Sequence, residues 1–355
     1  MSKIKLITYS LFIFSLLISC KDDDGDLEPV PFQTTPLEVT IPSNFPPMTY
    51  PISQNPPTEE GFELGRRLFY EGRLSSDNVI SCGFCHIQQF AFTHNDHFVS
   101  HGADGAVGTR NAPPVQNMAF MNDFNVDGAA ATLDMQPIIP ITGSAEMNTS
   151  FTEIIAKLSD HPEYPTLFAK AFENGEINSE NILRALSQFQ VMMVSAESKY
   201  DKVLRGEGNV TLTAIENQGR DIYDNKCASC HSGVLLTDQS YRSNGLPVDP
   251  QYNDIGRERV TGLTSDRYKF KVSSLKNIEF TGPYMHDGRF WTLEDVLDHY
   301  SDGMVNEGGT LDPQFIQNDG SLGIPLTADD KTALIAFMRT LSDTDFIFDS
   351  RFSEF

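Results

Sequence analysis

The sequence predicts an all-α protein built from one architectural unit used twice. Two observations carry this. The pentapeptide Cys82-Gly83-Phe84-Cys85-His86 recurs as Cys227-Ala228-Ser229-Cys230-His231, and a related amphipathic segment precedes each copy. The pattern C-x-x-C-H is the attachment signature of c-type haem, in which both thiols add across vinyl groups and the adjacent histidine takes the iron as proximal ligand. Cys82, Cys85, Cys227 and Cys230 are therefore expected to hold two covalent c-type haems, with His86 and His231 on the irons. Paired cysteines also bind zinc, the alternative reading, but zinc leaves unexplained the histidine directly after each pair. Of the five cysteines, four lie in these motifs and the fifth is Cys20, so none remains for a disulfide.

The N-terminus reads as an export signal, residues 1–19. Lys3 and Lys5 precede a mostly apolar run, Leu6 to Leu16, that is too short to span a bilayer comfortably. It ends in Leu17-Ile18-Ser19-Cys20, which resembles a bacterial lipobox, so Cys20 is the expected lipidation site and the membrane is reached through a lipid anchor. An ordinary signal peptide or an uncleaved anchor is the alternative. Haem is joined to C-x-x-C-H outside the bacterial cytoplasm, so both features point to an exported protein, on the periplasmic face or the cell surface of an outer membrane. Lys21-Asp22-Asp23-Asp24 resembles a lipoprotein surface-export signal, and equally a solvated acidic linker. Residues 20–57 hold nine of the twenty prolines and read as an acidic, proline-rich tether.

Two haem domains follow, 58–205 and 206–355, because the motifs begin at 82 and 227, far enough apart for one domain each. Glu60 to Phe69 fits a short helix leading to the first motif. Ile154 to Phe172 and Asn181 to Val194 read as helices that close the first domain, with Gly206-Glu207-Gly208-Asn209 as linker. Thr213 and Glu216 form a capping box at the start of the helix entering the second motif. That helix shares a Gly-Arg start and an apolar-aromatic end with the first: Gly65-Arg66-Arg67-Leu68-Phe69-Tyr70 against Gly219-Arg220-Asp221-Ile222-Tyr223-Asp224. Ser232 to Arg267 is rich in Gly, Asp, Asn and Ser and reads as long loop. Thr327 to Leu341 is the helix expected to pack across the second motif. Each unit is thus expected to be cytochrome c-like. The formal charge of −23 excludes nucleic acid as a partner and suits a basic one, such as a small cytochrome.

From Glu59 to Leu341 the chain resembles the bacterial di-haem cytochrome c peroxidase and MauG superfamily. The segments that carry the resemblance, beside the motifs, are Glu63 to Phe69, Arg110-Asn111-Ala112-Pro113, Ala131-Thr132-Leu133, Glu146-Met147, Phe270-Lys271-Val272 and Pro283-Tyr284-Met285-His286-Asp287-Gly288. The resemblance implies a peroxidase that reduces hydrogen peroxide to water with electrons from a small carrier such as a cytochrome c. The N-terminal haem would react with peroxide and the C-terminal haem would take in electrons. It implies Glu146 as the acid-base group, with Gln136 and Pro140 in the distal pocket, and a calcium ion between the domains at Asn111, Thr281 and Pro283. Family members are often homodimers.

Peroxidases of this family often carry a removable histidine ligand in the loop before Asn111. Here His94, His97 and His101 stand in that loop, and none falls cleanly on the family position. Counting fourteen residues from His286 reaches Tyr300, where peroxidases carry a methionine ligand and MauG-like proteins a tyrosine. Tyr300 is thus the implied axial ligand of the second iron, with Met285 and Met304 as rivals. The tyrosine raises a second reading, a MauG-like oxidase of a protein or small-molecule substrate acting through a high-valent state. A third is a surface electron-transfer cytochrome that never turns over peroxide. The chain departs from the family at Val126-Asp127-Gly128-Ala129, where Trp-Asp-Gly-Arg is usual. Val126 cannot be oxidised, and Trp291, the only tryptophan, does not match that position. Slower inter-haem transfer, another aromatic route and a lost high-valent function all stay open.

Overall fold

A computed structural model describes residues 32–354; the signal segment and Cys20 lie outside them. The described chain is helical with little strand. Its helices are α1 (Glu59–Phe69), α2 (Cys82–Cys85), α3 (Ile138–Thr142), α4 (Phe151–Ser159), α5 (Tyr164–Ala171), α6 (Ser179–Val191), α7 (Lys199–Arg205), α8 (Ala214–Lys226), α9 (Glu258–Thr261), α10 (Leu293–Asp298), α11 (Ala328–Arg339) and α12 (Thr344–Ile347). Two two-residue strands, Tyr241–Arg242 and Phe270–Lys271, pair antiparallel. None of the described helices is long and apolar enough to cross a membrane.

Local chemistry accounts for the helix starts. Thr58 caps α1 by accepting from the Gly61 amide, with Glu59 and Glu60 in the first turn and Arg66 and Arg67 in the last, matching the helix dipole. Thr213 with Glu216 and Thr327 with Asp330 form the capping boxes of α8 and α11.

Two helix crossings repeat one geometry. In the first, α1 lies on α6 and buries Leu64, Leu68 and Phe69 against Ile182, Ala185, Leu186 and Phe189. In the second, α8 lies on α11 around Tyr223, Leu334, Phe337 and Met338. Gly65 sits where any side chain would run into the Ala185 carbonyl and the Phe189 Cβ; Gly219 meets the Ala333 carbonyl and the Phe337 Cβ in the same way. The shared Gly-Arg of the sequence is thus the point of closest backbone approach in each crossing. Each large apolar side chain buried there contributes about 1.5–3 kcal/mol.

Three expectations are corrected. The single helix over 154–172 is two, broken between Ser159 and Tyr164. Pro162 disfavours helical backbone at His161, and Pro165 sits in the first turn of the new helix. The last helix of that region runs Ser179–Val191 rather than 181–194 because Asn178 caps it earlier. Residues 36–57 are not an extended tether. Phe45 and Tyr50 are buried with Phe120 and Leu133, and the Thr49 and Tyr50 amides donate to the Ala119 carbonyl at 2.9 and 3.1 Å.

The tail of the chain returns to the first core. Phe346, Ile347 and Phe352 pack among its side chains, and the Tyr70 hydroxyl donates to the Phe352 carbonyl at 2.7 Å. A buried polar junction accompanies it. Lys276 Nζ reaches Asp201 Oδ1 at 2.7 Å with both side chains nearly inaccessible, and the Asn277 amide nitrogen donates to Ser195 Oγ at 2.9 Å.

Candidate active site

The first centre begins where Ser81 caps α2 by accepting from the Phe84 amide, setting Cys82 and Cys85 on one helical turn. The His86 amide closes that turn onto the Cys82 carbonyl at 2.8 Å. His86 Nδ1 lies 2.8 Å from the Phe92 carbonyl. This leaves Nε2 for a metal, the usual arrangement in which a ligating histidine donates its other N–H to a carbonyl. Ala91 and Phe92 both adopt left-handed backbone and are fully buried, and that strained pair aims the carbonyl at the imidazole.

The second centre follows the same plan. Cys227 caps the end of α8, and His231 Nδ1 lies 3.0 Å from the Ser273 carbonyl. Burial lowers the proton affinity of both imidazoles, which favours the neutral form that ligates a metal. None of the four motif cysteines is paired in a disulfide. Burial pushes Cys82 and Cys227 up to about 12 and Cys85 up to about 11. Among the described residues these cysteines belong to no group of three donors close enough to share one ion. Two cysteines on one turn, next to an imidazole whose Nδ1 is held by a backbone carbonyl, are the donor set that a covalent haem requires.

The two centres differ in what faces them. Glu146 is half-buried on the loop after α3, and its charge acts on both Cys82 and Cys85. Burial raises its carboxyl above the ordinary glutamate range, and Arg110 opposes the rise. The loop is pinned by the Ala103 amide on the Glu146 carbonyl at 2.7 Å and the Met147 amide on the Pro140 carbonyl at 3.0 Å. Gln136 turns its amide to Asn125 Oδ1 at 3.2 Å.

Tyr300 stands by the second centre instead. It lies on the single π-turn His299–Gly303 that follows α10, a distortion frequent at functional sites. Burial raises its phenol, the Asn244 side chain lowers it by hydrogen bonding, and the Cys227 and Cys230 thiols lie close enough to act on it. Asn244 Nδ2 also contacts Met285 Sδ at 3.4 Å, and Met304 shares an apolar cluster with Tyr300. Both rival ligands are therefore neighbours of this site.

Asn111 is bound to the segment that carries Thr281 and Pro283: its amide donates to the His286 carbonyl at 2.7 Å, and its side chain donates to the Phe98 carbonyl at 3.0 Å. His94, His97 and His101 gather next to the first motif.

Arg110 was visible in Arg110-Asn111-Ala112-Pro113 but had no role in the sequence reading. Its guanidinium grips Asp254 through two nitrogens at 2.6 and 2.9 Å and Asp127 at 2.6 Å. It also lies 5.9 Å from the Phe270 ring, which stacks on His286 at 3.9 Å. It thereby connects the Glu146 side to the Pro-Tyr-Met-His segment.

Helical crossings that present two C-x-x-C-H turns, with Glu146 near enough to act on the first and Tyr300 near the second, are the framework of a di-haem redox protein. The family described as di-haem cytochrome c peroxidase matches residues 59–209. The methylamine utilization protein MauG of Methylorubrum extorquens is 37% identical over 260 residues, 70% of this chain and 70% of that protein. The cytochrome c551 peroxidase of Pseudomonas aeruginosa is 31% identical over 307 residues, 84% and 83% of the two chains. The crystal structure of a MauG-like protein associated with microbial copper homeostasis superposes with a TM-score of 0.78 at 36% identity, covering 89% of this chain and 99% of that one. The chain belongs to the di-haem cytochrome c peroxidase family, and with it to the peroxidase class of oxidoreductases carrying two c haems.

Proposed function

We propose that the protein reduces hydrogen peroxide to two waters, with two electrons from a small carrier protein and two protons from solvent, and that the two centres divide the work. The observation that carries this is the asymmetry above: a raised-pKa carboxyl faces Cys82 and Cys85, and a tyrosine faces Cys227 and Cys230. When bound, the haems would relay the carrier's electrons and supply the iron at which peroxide reacts. His86 and His231 would hold the irons, each ring oriented by the Phe92 or Ser273 carbonyl.

Glu146 takes the proton from one peroxide oxygen and returns it to the other, the transfer that makes water a leaving group. Its raised pKa suits a group that must both accept and donate. Arg110 keeps the ionised form accessible. Gln136 orients the bound peroxide once its amide leaves Asn125.

Haem domains spanning 58–205 and 206–355, the second returning its 346–352 tail to the first core, each carry one haem, and a calcium ion at Asn111, Thr281 and Pro283 joins them; neutral carbonyl donors of this kind suit that hard cation. The net charge of −23 steers a basic cytochrome toward the surface. Lipid on Cys20 tethers the exported protein to the outer membrane.

Tyr300 favours a second reading, MauG-like oxidation of another substrate, because a phenolate stabilises ferric iron where methionine would stabilise ferrous. One experiment separates the readings: stoichiometric peroxide added to the diferric protein while the spectrum is followed from the Soret band to the near infrared. Reaction only after one-electron reduction supports the gated peroxidase. Prompt reaction without reductant supports the MauG-like reading. No reaction in either state overturns both and leaves an electron-transfer cytochrome.

A further inference from the structure

The loop that follows the first motif assembles imidazoles that the peroxidase chemistry above does not use. His94 and His97 stack with centroids 4.8 Å apart and planes 14° from parallel, and the His101 ring lies 4.3 Å from that of His97. Asp96 enters between them, its Oδ1 3.4 Å from His94 Nε2 and 2.7 Å from His97 Nδ1. One donor atom each from His94, Asp96 and His97 lie within 4.8 Å of one another, the one such His/Cys/Asp/Glu group among the described residues. His94 is buried to 3% exposure, and its Nδ1 has no hydrogen-bond partner among the described residues. The His94 nitrogen that faces Asp96, and so the cluster, is Nε2.

We propose that His94, Asp96 and His97, with His101 as a further donor, form a binding site for a divalent transition-metal ion. Three imidazoles and one carboxylate are the donors that zinc, copper and nickel prefer over calcium or magnesium. Donors around one tetrahedral zinc lie about 3.3 Å apart, from bond lengths of about 2.0–2.1 Å, and the His94–Asp96 separation of 3.4 Å already matches. Small rotations of the half-exposed His97 and the exposed Asp96 complete the shell.

The site adjoins the first haem centre without being part of it. The His101 carbonyl lies 3.7 Å from Cys85 Sγ, and the His94 ring is 6.4 Å from that of Phe84. Two residues on, Ala103 donates to the Glu146 carbonyl at 2.7 Å. A bound ion therefore ties the 94–101 loop down beside the loop that carries Glu146.

The test uses the di-haem holoprotein after removal of adventitious metal. Zinc chloride is titrated by calorimetry and by equilibrium dialysis with elemental analysis. Copper(II) sulfate is followed by electron paramagnetic resonance at a field clear of the ferric haem lines. One zinc per chain is expected, with binding weakened at least about tenfold in His97→Ala and in Asp96→Asn, a loss seen even for outer-shell partners of a metal. Both substituted side chains are solvent-accessible, so these variants keep the fold; His94→Ala is the stronger probe where it folds. Copper should show nitrogen-coupled lines that change in His97→Ala. Absence of stoichiometric zinc binding, or binding unaltered in both variants, overturns the site. So does a change in the first haem's spin state in His97→Ala without loss of zinc binding, since the histidine would then serve the haem iron.

Discussion

Replacing Glu146 with glutamine keeps the side chain's shape and hydrogen-bonding capacity but removes its exchangeable proton. The loop offers no substitute, since Ala145 and Met147 flank it and Gln136 carries an amide. Loss of the full general acid-base contribution is therefore expected, about 10²–10⁴-fold in kcat for peroxide. At about 1.4 kcal/mol per decade this is about 3–5 kcal/mol of transition-state stabilisation. The pH profile makes the prediction specific. Glu146 must be ionised to accept the peroxide proton, so activity should fall as pH drops through its folded pKa. Burial raises that value above the roughly 4.3 of a free glutamate, against the opposing charge of Arg110. The acid limb should accordingly lie above the ordinary carboxylate range and vanish in Glu146→Gln. The assay is steady-state oxidation of a reduced cytochrome c across pH, with haem content and the Soret band as controls for intact centres. Activity within about threefold of the parent, or an unchanged acid limb, refutes the assignment.

Tyr300→Met should raise the reduction potential of the second haem, read by spectroelectrochemical titration; an unmoved potential and spectrum would mean that Tyr300 is not a ligand. Gly219→Ala drives a methyl into the Ala333 carbonyl, and overpacking of this kind costs about 1–3 kcal/mol. Chemical denaturation monitored by far-ultraviolet circular dichroism should show that loss, and a change under about 0.5 kcal/mol would mean the α8–α11 crossing is looser than described. Asp201→Ala leaves Lys276 as a buried ion without its partner, a loss of about 3–5 kcal/mol that the double variant with Lys276→Met should largely restore.

What the sequence made legible was local chemistry. Thr213 with Glu216 and Thr327 announce helix starts because a cap is decided within four residues. The haem motifs are legible for the same reason. Gly65 and Gly219 were visible as a repeat, but the carbonyls of Ala185 and Ala333 that require them lie on helices over a hundred residues further on. The break at Pro162 is local too, since a proline disfavours helical backbone at the residue before it. Phe45 and Tyr50 were hidden by the prolines around them, since composition does not say which aromatic rings find a core. Arg110 could have been flagged only by knowing that Asp127 and Asp254 would converge on it from 17 and 144 residues away.

The same limit explains how a repeated scaffold holds two unlike sites. The crossings around Gly65 and Gly219 are alike and fix where each C-x-x-C-H turn stands. What each turn faces is delegated to intervening chain that is not repeated. The first imidazole is oriented by a carbonyl six residues on, the second by one 42 residues on. The first centre's proximal side is therefore self-contained, and its neighbours Glu146 and the histidine loop come from the segment between the motif and α4. The second centre needs the 232–273 excursion to place Ser273 and Asn244 before Tyr300 meets its surroundings. Chemistry at one centre can thus be altered by its loops while the paired crossings remain unchanged, and both the Val126 departure and Tyr300 fall in these freer segments rather than on the paired helices.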